Sequence, residues 1–260
     1  MMTRVRTIID KEWAEAFKNR LVLMTVVILP LVFTILPLAI LPTVSSAGSD
    51  STDVPAGFYQ ACNGLPMRDC LQYFLVNEFL LLFMIMPMAI PTAIAAYSIV
   101  GEKTTRSLEP LLATPITTEE LLAAKSLAAV IPAIAATWLG FAIFVAGLPL
   151  VGVTPAVFAQ VLSPTWLTAI IVIGPEIALM AVIFSLIVSS RVNDPRAAQQ
   201  ISAVIIVPFL GVFFGQIAGV IILNLQVMLA VVVGLGIIDL GLIYLNARLF
   251  QRETILTKWK

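Results

Sequence analysis

Six apolar stretches dominate this chain, at about 21–42, 73–100, 126–151, 166–188, 197–223 and 227–245. Each is close to or above the ~20 residues that carry a helix across a bilayer. In hydrocarbon every backbone N–H and C=O must be satisfied within the chain, so only helices and closed barrels span. A barrel needs alternating segments of about 10 residues, and these runs do not alternate. The charged fraction of 12% is about half that of a soluble domain. The predicted fold class is therefore an all-α membrane protein with six transmembrane helices. Only Asn224, Leu225 and Gln226 separate the last two runs. The fifth span could instead stop near Gly215, leaving a short re-entrant helix over 216–226, as backbone buried in protein allows.

Charge placement sets the expected orientation. Arg4, Arg6, Lys11, Lys18 and Arg20 precede the first span, and Lys103, Arg106 and Lys125 lie between the second and third. Arg191 and Arg196 follow the fourth, and Arg248, Arg252, Lys258 and Lys260 follow the sixth. Arg68 alone lies on the opposite side, so fourteen of fifteen basic residues share one face. The positive-inside rule then puts both termini and the 101–125 segment in the cytoplasm, and the 43–72 loop outside. Cys62 and Cys70 in that loop either form a disulfide, as an oxidising side permits, or remain free thiols. Residues 1–20 contain acids and no small-residue cleavage site of the usual kind, so no cleaved signal peptide is expected. Val5, Ile8, Ile9, Trp13, Ala16 and Phe17 share one helical face, with Lys11, Glu15 and Lys18 mostly on the other. This predicts an amphipathic interfacial helix lying on the lipid surface, or else packed on the protein. The six-span domain then covers 21–260.

The segment GEKTTRSLEPLLATPITTEELLAAK, 101–125, is polar beyond what a connector needs. Leu108, Leu111 and Leu112 make an apolar patch at helical spacing. Pro115 ends that helix, and Thr117 with Glu120 forms a capping box for the next. Leucines held among charges in water suit a docking surface, or packing beneath the spans. Within the spans, Glu176, Asp239 and Gln216 are polar. Burying an ionised carboxylate at mid-membrane costs about 3 kcal/mol or more, and no Lys or Arg lies at that depth. The two carboxylates could line a substrate path, bind a proton or sodium ion, or brace neighbouring helices. Glu78, nearer the outer boundary, is expected to face water. Asp194 and Pro195 read as an N-cap and first helical residue.

The 101–125 segment resembles the signature of ABC type-2 permeases, which runs approximately E-[KR]-x-x-x-[ST]-[LI]-E-x-L-L-x-[ST]-P-[IV]-[ST]-x-x-E-L-L-x-[GA]-K. It is carried here by Glu102, Lys103, Ser107, Leu108, Glu109, Leu111, Leu112, Thr114, Pro115, Ile116, Thr117, Glu120, Leu121, Leu122 and Lys125. Arg106 and Ala124 stand where glycine is frequent. IIDKEWAEAFKNR resembles the family's elbow helix, and SSRVNDPRAAQQIS its second cytoplasmic loop. The resemblance implies the permease subunit of an ATP-driven exporter in a bacterial or archaeal plasma membrane, working as a pair, with a coupling helix that docks on a separate ATP-binding subunit. Glu102, Ser107, Leu108, Glu109, Leu111, Leu112 and Pro115 would carry that coupling. Spans one, two and five would meet near the dimer axis and flank the path. Pro30, Pro37, Pro87, Pro91 and Pro208 kink those same spans, and Gly211, Gly215 and Gly219 offer a small-residue stripe for packing or a path.

The chain has no G-x-x-x-x-G-K-[ST] phosphate loop and no histidine. No cofactor is therefore expected in this chain: ATP and Mg would belong to the partner subunit, and the chain itself would be a transport subunit and not an enzyme. The expected partners are the ATP-binding subunit, a second permease copy and membrane lipid, with no nucleic acid. A different class remains open, an ion- or proton-coupled secondary transporter using Glu176 and Asp239.

Overall fold

The computed structural model describes residues 2–46, 62, 66–104 and 117–249, and every regular element among them is helical. In chain order the α-helices are α1 Met2–Ala16, α2 Arg20–Ser46, α3 Met67–Phe83, α4 Met86–Thr104, α5 Thr118–Gly147 and α6 Pro155–Val161. They continue as α7 Pro164–Thr168, α8 Gly174–Arg191, α9 Pro195–Ser202, α10 Ile206–Ile217 and α11 Leu225–Leu249. Six stretches are long and apolar enough to cross a membrane: Val22–Thr43, Arg68–Glu102, Glu119–Val151, Pro155–Arg191, Pro195–Ile217 and Leu225–Asn246.

Lipid tails are as apolar as leucine, so helices in a bilayer associate through close packing and small residues. The buried alanines are placed accordingly: Ala93, Ala95 and Ala96 on α4, Ala178 and Ala181 on α8, and Ala129 and Ala133 on α5. Among the described residues the most extensive packing is α8 against α4, with α5 on α4, α2 on α5 and α11 on α8. The core between them holds Phe83, Met86, Ile90, Phe144, Trp166 and Leu186. The second and fourth spans are thus central, while the first, fifth and sixth leave most of their apolar surface exposed.

Two spans are interrupted where proline removes a backbone donor. The second breaks at the turn Met84–Ile85, just before Pro87, whose missing N–H would otherwise bond to the Phe83 carbonyl. The fourth carries a π-turn at Ala169–Ile173, one step before Gly174 and Pro175. Such a widened turn gives the proline ring room beside the carbonyl four residues back.

Three expectations change. The fifth span ends at Ile217, and 216–226 holds no re-entrant helix. Gly219 has φ 71°, left-handed backbone that terminates α10, and the Val220 and Ile221 amides fold back onto the Gly215 carbonyl. Gly219 therefore lies outside the helix and cannot complete a stripe with Gly211 and Gly215. Finally, the apolar face of α1 packs on protein: Val5, Ile8 and Ile9 cluster with Leu121 and Ala124 of α5. The Trp13 Nε1–H also donates to the Ala128 carbonyl at 2.8 Å.

Candidate functional site

The local chemistry around the signature starts with its second half. The Thr117 amide donates to Glu120 Oε2 at 3.1 Å and the Glu120 amide to Thr117 Oγ1 at 3.2 Å, a complete capping box opening α5. The next turn of α5 then carries Lys125 inward, where its side chain is 1% exposed. Lys125 Nζ lies 2.7 Å from Glu12 Oε1 on α1 and 3.0 Å from Glu102 Oε1 at the end of α4. It also donates to Ser98 Oγ at 2.8 Å, and Ser98 Oγ donates to Glu12 Oε2 at 3.0 Å. Lys11 reaches the same Glu102 oxygen at 2.8 Å and stands 3.6 Å from Glu15.

Two lysines and two buried glutamates thus form a neutral clamp joining three helices. Burying such charges is tolerable only when they are paired and hydrogen-bonded. Burial alone would lower the Lys11 pKa, but the hydrogen bond and charge of Glu102, with Glu12 and Glu15 behind it, raise it above its ordinary 10.5. A cleft of about 380 Å³ opens beside the clamp between α1 and α4, lined by Glu15, Lys18, Asn19 and Tyr97 among others.

Glu102 and Lys125 are the first and last residues of the signature, so the clamp grips both ends of the segment between them. Glu102 accordingly faces the interior of this chain. The other coupling residues, Ser107, Leu108, Glu109, Leu111, Leu112 and Pro115, lie outside the described residues. The second loop is built as its sequence suggests: Asp194 Oδ1 accepts from the Arg196 amide at 2.9 Å, and Pro195 starts α9. That helix packs on the end of α4, where Ala96, Val100 and Ala198 meet. Ser189 Oγ strengthens the junction, donating to the Ala96 carbonyl at 2.8 Å and accepting from the Val100 amide at 3.0 Å.

The intramembrane polar residues form two groups. Glu176 and Asp239, on α8 and α11, lie within electrostatic reach of each other. Glu176 Oε2 and Asp239 Oδ1 are buried without a hydrogen-bond partner among the described residues. Gln216 instead lies against Glu78. Glu78 is 6% exposed and buried, contrary to the expectation that it faces water. The reason is the position of α10, which covers that part of α3. Cys62 and Cys70 are joined in a disulfide with Cα atoms 5.3 Å apart.

Sequence reasoning missed Glu12, Lys11 and Ser98. Acids and bases on an amphipathic helix ordinarily read as its solvated face, and nothing local marks Glu12 as buried. A retrievable signal did exist: the signature has charge at both ends beside the membrane, and such charges need partners.

Together these features define a six-span helical membrane protein whose polar segment between spans two and three is anchored by buried charge. The family model for ABC-2 family transporter protein matches residues 6–247, and the chain belongs to that family. Comparison with curated proteins finds no match.

Proposed function

We propose that this chain is the permease subunit of an ATP-driven exporter, acting as two copies paired with two separate ATP-binding subunits. The 105–116 segment docks on the ATPase, and the clamp carries its movement into α1, α4 and α5. The observation that supports this reading most is the clamp itself, because Glu102 and Lys125 bracket the docking segment and meet on one buried pair of charges. A segment held at both ends by a rigid joint transmits force; a loose loop would absorb it. Both termini face the cytoplasm in this reading, in a bacterial or archaeal plasma membrane.

The test is Leu111→Asp in the complex with its ATPase. Abundance and membrane insertion should match the parent, since no span is touched, while ATP-driven transport should fall at least about tenfold, the loss expected when a buried apolar anchor at an interface becomes charged. Wild-type transport in that variant would refute the docking assignment. The proximity of Glu176 and Asp239 favours a second reading, a secondary transporter coupled to a proton or cation. Vesicles separate the two: transport driven by an ion gradient without ATP, and abolished by Glu176→Gln or Asp239→Asn, supports the second and sinks the first.

A further inference from the structure

The cleft beside the clamp, between α1 and the end of α4, holds about 380 Å³. That lies within the range of about 300–1,000 Å³ usual for ligand sites. A second hollow of about 200 Å³ adjoins it on the side of α9, and Asn19, Val22 and Tyr97 line both. The two make one groove along the corner where α1 turns into α2.

The groove is apolar on one side and charged on the other. Val22 opens the first span and Glu102 closes the second, so the groove lies at the level where spans leave the bilayer. Val22, Ala93 and Ile94, all within those spans, form its apolar wall. Tyr97 stands between the hollows at 44% exposure, an amphipathic ring at the depth where tyrosines gather. Glu12, Glu15, Glu102 and Lys18 line the first hollow, and Arg196 lines the second.

Charge decides the sign of an occupant. The three glutamates are already paired: Lys125 holds Glu12 and Glu102, and Lys11 holds Glu102 and Glu15. The two lining bases are not. Lys18 and Arg196 are exposed, and among the described residues neither has a carboxylate within ion-pair distance. Asp194, close to Arg196 in the chain, uses Oδ1 to cap α9 by accepting from the Arg196 amide. Two unanswered cations therefore line a groove whose acids are matched, and a negative group is what they lack.

We propose that this groove seats the phosphate headgroup of an anionic phospholipid, with Lys18 and Arg196 on the phosphate and an acyl chain along Val22, Ala93 and Ile94. A guanidinium offers a phosphate two parallel donors, and the lysine adds a compact charge. A free phosphate ester would satisfy the bases equally and leave the apolar wall uncovered, which is why the lipid is the occupant. The leaflet follows from the proposed orientation; the site depends neither on that orientation nor on the exporter reading. Glu12, Ser98 and Glu102 also line the groove, so the lipid lies against the clamp and ties α1 to α9.

The full-length chain in maltoside detergent is titrated by calorimetry with dihexanoyl phosphatidylglycerol, zwitterionic dihexanoyl phosphatidylcholine and soluble glycerol 1-phosphate. Phosphatidylglycerol should saturate at about one lipid per chain and raise the unfolding midpoint, as a ligand of the folded state does. Phosphatidylcholine, whose headgroup returns a cation to a basic groove, should bind at least about fivefold more weakly, and glycerol phosphate more weakly still. Lys18→Gln and Arg196→Gln should each weaken phosphatidylglycerol binding about fivefold, the factor for one basic residue at an anionic lipid surface. Unfolding without lipid should match the parent in both, since neither base is ion-paired. Arg6→Gln, exposed toward the other end of α1, should change binding by less than about twofold. No saturable phosphatidylglycerol binding overturns the proposal, and so does equal binding of the two lipids. Equal binding of glycerol phosphate would make the groove a site for free phosphate esters and overturn the lipid. A loss in Arg6→Gln as large as in Lys18→Gln would reduce the effect to diffuse attraction by a basic face and overturn the site.

Discussion

The N–H donors of Lys125 are shared among Glu12, Glu102 and Ser98, which come from two other helices. Removing that ammonium leaves Glu12 buried with a serine hydroxyl and no cation. Lys125→Met should therefore lower stability by about 3–5 kcal/mol, as breaking a buried pair does. The double variant Glu12→Gln, Lys125→Met should recover part of that loss, because no charge is then stranded. Thermal unfolding in nanodiscs measures both. Lys11 adds a pH dependence. Its folded pKa lies above 10.5, so its contribution is complete below that value and is lost as pH rises through the higher folded pKa. Unfolding midpoints should fall above about pH 10.5 in the parent more steeply than in Lys11→Met. At this scale legibility followed distance along the chain. Thr117 and Glu120 are three residues apart, and their mutual caps could be read directly. Glu12 and Lys125 are separated by 113 positions, and only the fold brings them together.

At the scale of elements, hydropathy located all six spans because the bilayer demands a minimum apolar length. It failed where backbone geometry decides. The apolar run continues to Leu223, but α10 stops at Ile217 because Gly219 turns left-handed. Any side chain there meets strain of roughly 1–2 kcal/mol. Gly219→Ala should lower stability by about that amount, whereas Gly211→Ala, with open space around its added carbon, should change little. Equal effects on thermal unfolding would show that the turn is not what ends the helix. Pro87 was legible as a kink, and the structure turns it into a full break at Met84–Ile85. The position of α1 was half legible. Its apolar stripe was visible, but lipid and the face of α5 are both apolar, and only the buried charges beneath it select the protein surface.

For the whole molecule, α2, α10 and α11 leave apolar faces exposed, and the proposed pairing divides these between lipid and a second copy. The proposed pairing places α10 near the two-fold axis. With Cys62 and Cys70 replaced by serine, Gly211→Cys should then form disulfide dimers under mild oxidation, while Ile237→Cys on α11 should not. Cross-linking at Ile237 alone would move the interface to the sixth span. Composition could not assign these faces, because a lipid-facing stripe and a subunit-facing stripe have the same composition; pairing was expected from the resemblance alone. The clamp also sets an order of events during synthesis. Glu12 leaves the ribosome 113 residues before Lys125, and at about 5–20 residues per second that is roughly 6–23 seconds of waiting. Through that interval Glu12 lacks its cation and α1 has no α5 surface to lie on. Its docking therefore records that the first two spans have been made and the third begun, and a chain stalled before Lys125 keeps α1 loose.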